Sequence, residues 1–427
     1  MAATIHAVNK PGTDTLVNTA SIAWLVASLF YFYQYVQRSA PSVMMPQLSA
    51  ALSEDALGVA SIVGLFYYGY STFSLVAGVG MDRLGPRKII PIAAALAGLG
   101  GLMFATGNSS AASIGRLIQG AAGGFAPVGA FYIATTKFPP SKAATLIGAT
   151  QMFGMAGGAA GQFLVGPLIG RGVSCNTFWF YLGVAGFCIA ALLFTLLPAD
   201  RKAQAPASGG KNITSGFLTV FRNPQSIYCG FIAGLLFLPT TIFTMIWGVR
   251  YLQEAHGFDY TAAVFRSASI PIGWILGCPL LGFISDRIGR RKPVIIGGAL
   301  LLFTCLVWIL FAPAGILPPY LVGLLAGTAS GAAMIPYTII KEANPPHLGG
   351  TATGVISFLN FSLSALLGPV FAWILRRSSS GFGRMELPHY QTAFVPMLVG
   401  IIIAIGLTLF LRETGRVSTS QPIRKAA

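Results

Sequence analysis

Charge is scarce in this chain. Only 9% of its 427 residues are Asp, Glu, Lys or Arg, while 54% are hydrophobic. An average soluble domain has about a quarter of its residues charged. The composition therefore excludes an ordinary soluble domain and indicates that lipid is the main solvent of this chain.

Groups that carry acid-base, thiol and metal chemistry are also few. The sequence has 11 acids, four histidines and five cysteines. The acids and histidines all fall in predicted loops, tails or helix ends, so no relay for protons is expected inside the membrane. The cysteines lack the spacing of a disulfide framework or a metal site. Since no nucleophile-base pair or phosphate loop appears, we expect no enzyme, no metal and no cofactor.

Long apolar runs dominate what remains. A membrane-spanning helix needs about 20 mainly apolar residues, and the runs here lack the alternation of a barrel strand. The sequence predicts an all-α membrane protein with twelve transmembrane helices. Their ranges are 21–45, 58–80, 89–107, 113–135, 144–168, 178–197, 226–247, 262–284, 294–312, 319–340, 351–375 and 392–411.

The net charge of +16 is placed along the chain in a way that excludes a nucleic-acid partner. Most Lys and Arg residues fall in the alternate loops that share a side with both termini, which predicts cytoplasmic termini. The first helix is too long for a signal-peptide core, so it is expected to stay uncleaved. We predict a monomer in a bacterial inner (plasma) membrane. Its parts are an N-terminal tail (1–20), a six-helix bundle (21–197), a central cytoplasmic loop (198–223), a second bundle (224–411) and a C-terminal tail (412–427).

Two loops repeat at almost the same offset. The segment 78–88 after helix 2 matches the segment 282–292 after helix 8, and 139–148 matches 345–354, at offsets of 204 and 206 residues. Such a repeat predicts two parallel halves. The basic loops are candidates for a conformational latch, in which an Asp meets the positive N-terminal end of a helix in the other half. The latch residues are Gly78, Asp82, Arg83, Gly85 and Arg87 in the first copy, and Gly282, Asp286, Arg287, Gly289, Arg290 and Arg291 in the second.

At these residues the chain resembles the major facilitator superfamily. The loop after helix 8 fits the superfamily's signature fully, whereas the loop after helix 2 has Pro86 where a base is usual. The segment from Arg116 to Gly120 also looks like the superfamily's second motif. The resemblance implies two pseudo-symmetric six-helix bundles that rock about a central site, open to one side at a time.

Three arginines lie within predicted spans, namely Arg38, Arg116 and Arg266. A buried charge is a candidate for a functional site, and an unpaired guanidinium suits a carboxylate or phosphate. On a regular helix Arg38 shares a face with Tyr31, Gln34 and Tyr35. The alternative for Arg38 and Arg116 is a side chain tied to backbone carbonyls. Arg266, near the outer end of helix 8, suits an entrance or snorkelling role.

The residues around Arg38 are similar to helix 1 of the organophosphate:phosphate antiporter family. The resemblance implies that the Arg at this position contacts the phosphate of the substrate. That family's second Arg is replaced here by Thr240, and helix 2 has no Lys. One central cation favours a monoanion such as a carboxylate. Further candidates for binding, each of which could instead be a packing residue, are Tyr67, Tyr68, Gln119, Gln151, Trp247 and Asn360.

These observations predict a secondary transporter of a small organic anion that works by alternating access. Proton-coupled efflux of drugs or metabolites, a facilitator for a neutral solute or peptide, and a solute receptor built on a transport fold stay open as alternatives. The glycines of helix 5 (154, 157, 158 and 161) and of helix 8 (273 and 277) are spaced as in close helix contacts.

Overall fold

The computed structural model describes residues 13–138, 140–197, 213–313, 320–345, 348–379 and 385–415. The first half of the described chain is helical. Its helices are α1 (Thr13–Ser39), a short 3₁₀ helix (Ala40–Val43), α2 (Met45–Leu52), α3 (Ala56–Leu84), α4 (Pro86–Ala105), α5 (Ser109–Gly123), α6 (Phe125–Thr136), α7 (Pro140–Phe163), α8 (Val165–Gly170) and α9 (Cys175–Leu196).

The second half follows after α10 (Ile213–Arg222). It contains α11 (Pro224–Leu238), a π-helix (Pro239–Trp247), α12 (Gly248–His256), α13 (Tyr260–Ile288), α14 (Lys292–Phe311), α15 (Leu321–Ser330), a 3₁₀ helix (Gly331–Met334), α16 (Ile335–Glu342), α17 (Gly349–Ser378) and α18 (Leu387–Phe410). Several transmembrane segments are thus made of two helices joined end to end.

Within the described ranges, eleven helical segments are long and apolar enough to cross a membrane. The 27-residue α1 is not among these eleven segments, and it packs against α7. This architecture agrees with the predicted all-α membrane fold. The boundaries of the two bundles stay a prediction.

Two local expectations were wrong. The first span was expected to run from 21 to 45, but α1 begins at Thr13 and ends at Ser39, where a 3₁₀ helix that contains Pro41 follows. Proline has no N–H for the helical ladder, so Pro41 removes one helical hydrogen bond at the point where α1 gives way to the 3₁₀ helix. The central segment was expected to be a loop, but its last part forms α10, whose Phe221 ring packs edge-on against Phe358.

Helix ends follow from local chemistry. Asn108 accepts a hydrogen bond from the backbone N–H of Ala111 at the start of α5, and Asp259 does the same for Ala262 at the start of α13. These side chains satisfy N–H groups that have no partner within the helix. At the other end of α13, Gly289 has a φ of +69°, a conformation that residues with a Cβ rarely adopt.

The two halves are held together along two seams. Helix α3 packs against α17, and α7 packs against α13, while most other close helix contacts lie within one half. Both seams pair a helix of the first half with a helix of the second. The two halves therefore meet mainly along these two helix pairs.

Glycines make the closest helix contacts possible, as the sequence predicted for helices 5 and 8. A Cβ added at Gly157 of α7 would lie 2.1 Å from the carbonyl oxygen of Phe32 in α1. One added at Gly277 of α13 would lie 2.2 Å from the carbonyl oxygen of Thr328 in α15. Any larger residue at these positions has to push two backbones apart.

Gly157→Ala is expected to destabilise the protein by about 1–3 kcal/mol, the usual cost of overpacking. Gly148 lies on the same helix, and an added Cβ there meets no atom within 4 Å. Gly148→Ala should therefore be neutral or slightly stabilising, because Ala is the better helix former. Thermal unfolding of both variants in detergent measures the difference. Equal melting temperatures would contradict the contact between α1 and α7.

Candidate functional site

A cavity of about 870 Å³ lies between the halves. Tyr31, Tyr35 and Tyr70 line it from the first half, and Asn360 and Phe361 from the second. The cavity continues to Asp286, Arg291, Lys341 and Glu342, at the face that carries the loop after α13. It is thus open toward one face of the helix bundle.

The opposite end of the space between the halves is closed by direct contacts. The Tyr260 hydroxyl at the start of α13 donates to the carbonyl of Val43 at 2.6 Å and to that of Gly166 at 3.2 Å. The Gln162 amide of α7 donates to the carbonyl of Thr244 in the π-helix at 2.7 Å. These hydrogen bonds join the first half to the second. We call them the outer seal, because the topology predicted from the sequence puts this end outside the cytoplasm.

Arg38 lies in the last turn of α1, beside the cavity, and is 1% exposed. Its guanidinium carbon lies 4.2 Å from the ring centre of Tyr35, and 5.0 Å from those of Tyr70 and Phe361. These three rings line the cavity, so Arg38 sits one side chain behind its wall. The rings form an aromatic cage around the charge.

The charge of Arg38 has no opposite charge beside it in the described part of the chain. Its Nη2 donates a hydrogen bond to Oε1 of Gln34 at 3.4 Å, whereas Nε and Nη1 have no partner among the described residues. Burying an unpaired ion costs several kcal/mol, while a cation-π contact returns about 0.5–2 kcal/mol. The guanidinium therefore has no negatively charged partner among the described residues, and an anion in the cavity would offset the cost of its burial.

Arg116 of α5 is held differently. Its Nη1 donates to the carbonyl of Gln37 at 3.0 Å and to Oε1 of Gln119 at 2.7 Å, and its Nη2 donates to the carbonyl of Val63 at 3.3 Å. These bonds fix the side chain away from the cavity wall, as in the alternative that the sequence left open. They do not neutralise its charge.

Arg38 and Arg116 share one aromatic neighbour. The Phe66 ring centre lies 4.9 Å from the guanidinium carbon of Arg38 and 5.0 Å from that of Arg116. The two cations cannot be farther apart than the sum of these distances. Both charges therefore act on the same side of the cavity, and both come from the first half.

The other predicted site residues divide into two groups. Tyr31, Gln151 and Asn360 line the cavity. The Tyr31 hydroxyl donates to Gln151 at 3.0 Å, and the Gln151 amide reaches Sδ of Met334 in the second half at 3.0 Å. The amide of Asn360 donates to the Tyr337 hydroxyl at 3.1 Å, while its Oδ1 has no partner among the described residues.

The second group lies away from the cavity wall. Tyr68 is 39% exposed on the outside of α3, because it follows Tyr67 by one position and so points about 100° away on the helix. Trp247 is buried, with its ring 5.8 Å from that of Phe371 within the second half. Oε1 of Gln119 accepts the hydrogen bond from Arg116, and the Tyr67 hydroxyl donates to the carbonyl of Thr241 at 3.2 Å.

Sequence reasoning missed several cavity residues, most clearly Tyr70, Tyr337 and Phe361. Each is an aromatic residue in an apolar run, where packing is the usual role. Tyr70 lies three residues after Tyr67 on the same face of α3, and this spacing was the one available signal. Phe361 reaches Arg38 from the other half, a contact for which the sequence contains no signal.

The predicted latch is described most fully in its second copy. Arg291 donates to Asp286 at 2.5 Å and to Glu342 of α16 at 3.0 Å. Partial burial lowers the pKa of Arg291, but hydrogen bonds to Glu342 and Asp286 outweigh this and raise the pKa above its usual value. Glu413 accepts a hydrogen bond from the Arg291 backbone at 2.6 Å. The loop is thus tied to α16 and to residues that follow α18.

In the first copy, the side chains of Asp82 and Arg83 lie outside the described residues. Gly78 of α3 faces the start of α17, since a Cβ added there would lie 3.5 Å from the carbonyl oxygen of Gly350. Gly85 has a φ of +77° and ends α3. The first loop therefore approaches α17, a helix of the other half, while the latch role stays a prediction.

Comparison with known proteins places this architecture in a family. The family model of the Major Facilitator Superfamily matches residues 27–369. The chain is 27% identical over 395 residues to the hexuronate transporter of Bacillus subtilis (strain 168). This alignment covers 86% of this chain and 90% of that protein. It is 22% identical over 286 residues to the probable sulfoacetate transporter of Cupriavidus necator, covering 62% and 65% of the two chains.

Solved structures agree in fold. A bacterial homologue of the human lysosomal transporter Spinster, in an inward-facing and unoccupied conformation, superposes with a TM-score of 0.70 at 15% identity, over 92% of this chain and 96% of that one. The nucleoside transporter NupG gives a TM-score of 0.70 at 16% identity, over 91% and 99%. The family model spans well over half of the sequence, and the chain therefore belongs to the Major Facilitator Superfamily, a family of membrane transporters and not of enzymes.

Proposed function

We propose that this protein is a secondary transporter of a small organic anion, with Arg38 as the counter-ion of the substrate. The observation that carries the proposal is the buried guanidinium of Arg38, which lies beside a large cavity and has no acidic partner within the described ranges. A carboxylate that enters the cavity would supply the missing charge and two parallel hydrogen bonds.

Two relatives support this substrate class. One carries the name of a hexuronate transporter and the other of a probable sulfoacetate transporter. Hexuronate and sulfoacetate are both small organic anions. The relatives differ in their anion, since hexuronate has one negative charge and sulfoacetate has two at neutral pH. The names therefore support small organic anions as a class and neither one compound nor one charge.

The residue at position 240 supports a monoanion over a phosphate dianion as the substrate. Thr240 takes the place that a second arginine has in the organophosphate antiporter group, and it accepts a hydrogen bond from Trp274 at 2.8 Å. That position therefore offers a substrate no cation. On this proposal, the chain shares the position of Arg38 with the organophosphate group but does not share the full phosphate site.

Alternating access explains how the substrate reaches Arg38. The cage includes Phe361 of the second half, so rocking of one half against the other changes how much of the charge is covered. If both termini are cytoplasmic in an inner membrane, as the positive-inside bias indicates, the cavity in this structure faces the cytoplasm. The outer seal would then open in the alternate state.

Arg38→Gln should abolish transport of a labelled hexuronate, because an amide cannot replace the charge. Arg38→Lys should retain weak transport, since it keeps the charge and loses the planar pair of donors. The measurement is uptake into proteoliposomes, with the amount of inserted protein as a check. Arg171→Gln, which removes an exposed arginine at the sealed end, is the matched control. Uptake by Arg38→Gln equal to that of the control would contradict the proposal.

Arg116 should add to anion affinity through its charge alone. At an effective dielectric constant of about 20, unit charges roughly 10 Å apart interact by about 1.5 kcal/mol, or roughly tenfold in affinity. Arg116→Gln should therefore weaken inhibition by a hexuronate about tenfold, and inhibition by a hexarate, with its second carboxylate, by more. Arg116→Lys should keep the ratio of the two inhibition constants near that of the wild type. If Lys and Gln shift the ratio equally, Arg116 is only a structural anchor.

Tyr260→Phe should shift the protein toward the state that is open at the sealed end. The substitution removes two hydrogen bonds between the halves and leaves the ring in place. Single cysteines introduced next to the outer seal should then react faster with a membrane-impermeant maleimide. Tyr181→Phe, which alters an exposed ring on α9, serves as the control. Unchanged labelling rates would show that Tyr260 does not hold the seal.

A further inference from the structure

A second, smaller cavity lies in the second half, at the end of the molecule that is sealed. Its volume is about 110 Å³. The π-helix and α12 form one wall, α13 another, and the facing ends of α14 and α15 complete it. Its polar lining includes Arg266, Ser267 and His256, and its aromatic lining includes Phe258 and Trp308. None of these residues lines the central cavity.

Arg266 brings a positive charge to this cavity without an acidic partner. Its guanidinium carbon lies 4.0 Å above the ring centre of Phe258. The carboxylates that the structure describes nearby are engaged elsewhere. Glu254 is bonded to Arg250 at 2.8 Å and to the Tyr390 hydroxyl at 2.7 Å, and Asp259 caps α13. The Phe258 ring therefore orients the guanidinium of Arg266, and no described carboxylate accepts a hydrogen bond from it.

Ser267 supplies a second unused donor. Its side chain is 3% exposed, and its hydroxyl has no hydrogen-bond partner in the described part of the protein. Leaving a buried polar group unpaired costs about 1–3 kcal/mol. Space beside the hydroxyl is kept by Gly248, where an added Cβ would lie 2.8 Å from Ser267 Oγ. A buried hydroxyl and an unpaired cation thus follow one another on α13 and line the same cavity.

We propose that this cavity binds the oxyanion of a phosphate group, with the Arg266 guanidinium and the Ser267 hydroxyl as its ligands. The volume suits one head group and is far smaller than the central cavity. Trp308 and Tyr320, which are 37% and 44% exposed, also line it, and such aromatic residues are typical of the membrane-water interface. A lipid phosphate is therefore the favoured source of the oxyanion, and free phosphate is the other.

Occupancy would act on the outer seal. The oxyanion would fix two side chains of α13, Arg266 and Ser267, and α13 begins with Tyr260, a residue of the outer seal. A bound phosphate is thus expected to stabilise the state that is closed at this end. The proposal does not depend on which solute the central cavity carries.

The test compares thermal unfolding of the full-length protein in a phosphate-free maltoside detergent with added phosphatidylglycerol or with added diacylglycerol, which lacks the phosphate, and in the same detergent with inorganic phosphate or chloride. Phosphatidylglycerol is expected to raise the melting temperature of the wild type above its value with diacylglycerol. A similar rise with inorganic phosphate would also support the site and would identify free phosphate as an occupant. No rise with either probe would overturn the proposal.

Variants distinguish binding in this cavity from a general effect of the positive charge at this end of the protein. Arg266→Gln should weaken binding of the effective probe at least tenfold, and Ser267→Ala about tenfold, the range of hydrogen bonds to charged groups. Without the probe, Ser267→Ala should melt at or above the wild-type temperature, because an unpaired buried hydroxyl is removed. Arg171→Gln removes an exposed arginine at the same end and should bind like the wild type. Equal binding by Arg266→Gln and Arg171→Gln would refute the site.

Discussion

The buried guanidinium of Arg38 is the constraint around which the described interior is arranged. No described acid pairs with it, and the surrounding rings supply cation-π contacts that offset only part of the cost of burial. The cage is built from both halves, since Phe361 closes it from α17. A charge held in this way links two properties of the protein, its affinity for an anion and the relative position of its halves.

The scaffold is symmetric in sequence and asymmetric in charge. The loops at 78–88 and 282–292 repeat, and each contains a glycine with positive φ. The two buried arginines next to the central cavity, Arg38 and Arg116, both belong to the first half. The second half supplies Asn360, Tyr337 and Phe361 instead. Near Arg38 the first half thus provides the charge, while the second provides neutral hydrogen-bonding groups and an aromatic cover. The charged lining residues of the second half, Asp286, Arg291, Lys341 and Glu342, lie toward the open end of the cavity.

Much of the fold could be predicted because helix-length apolar runs and repeated loops are local features. The stripe of Tyr31, Gln34, Tyr35 and Arg38 was also visible, since its spacing follows from one helix. Other features depend on neighbours. The π-helix at Pro239–Trp247, the carbonyls that hold Arg116, and the outward position of Tyr68 all arise from how helices meet. Periodicity along one segment contains no information on those contacts.

The sequence by itself determined that this is a duplicated helical membrane protein with few buried charges and a cation on helix 1. These properties follow from composition and spacing, because a span and its charges are decided within a run of about 20 residues and the duplication is visible as repeated loop segments. Only the tertiary structure decided that Arg38 has no acidic partner in the described chain, that Phe361 covers it, and that Arg116 is anchored behind Phe66. Such properties depend on distances between helices that are far apart in sequence, and packing of the two halves sets those distances.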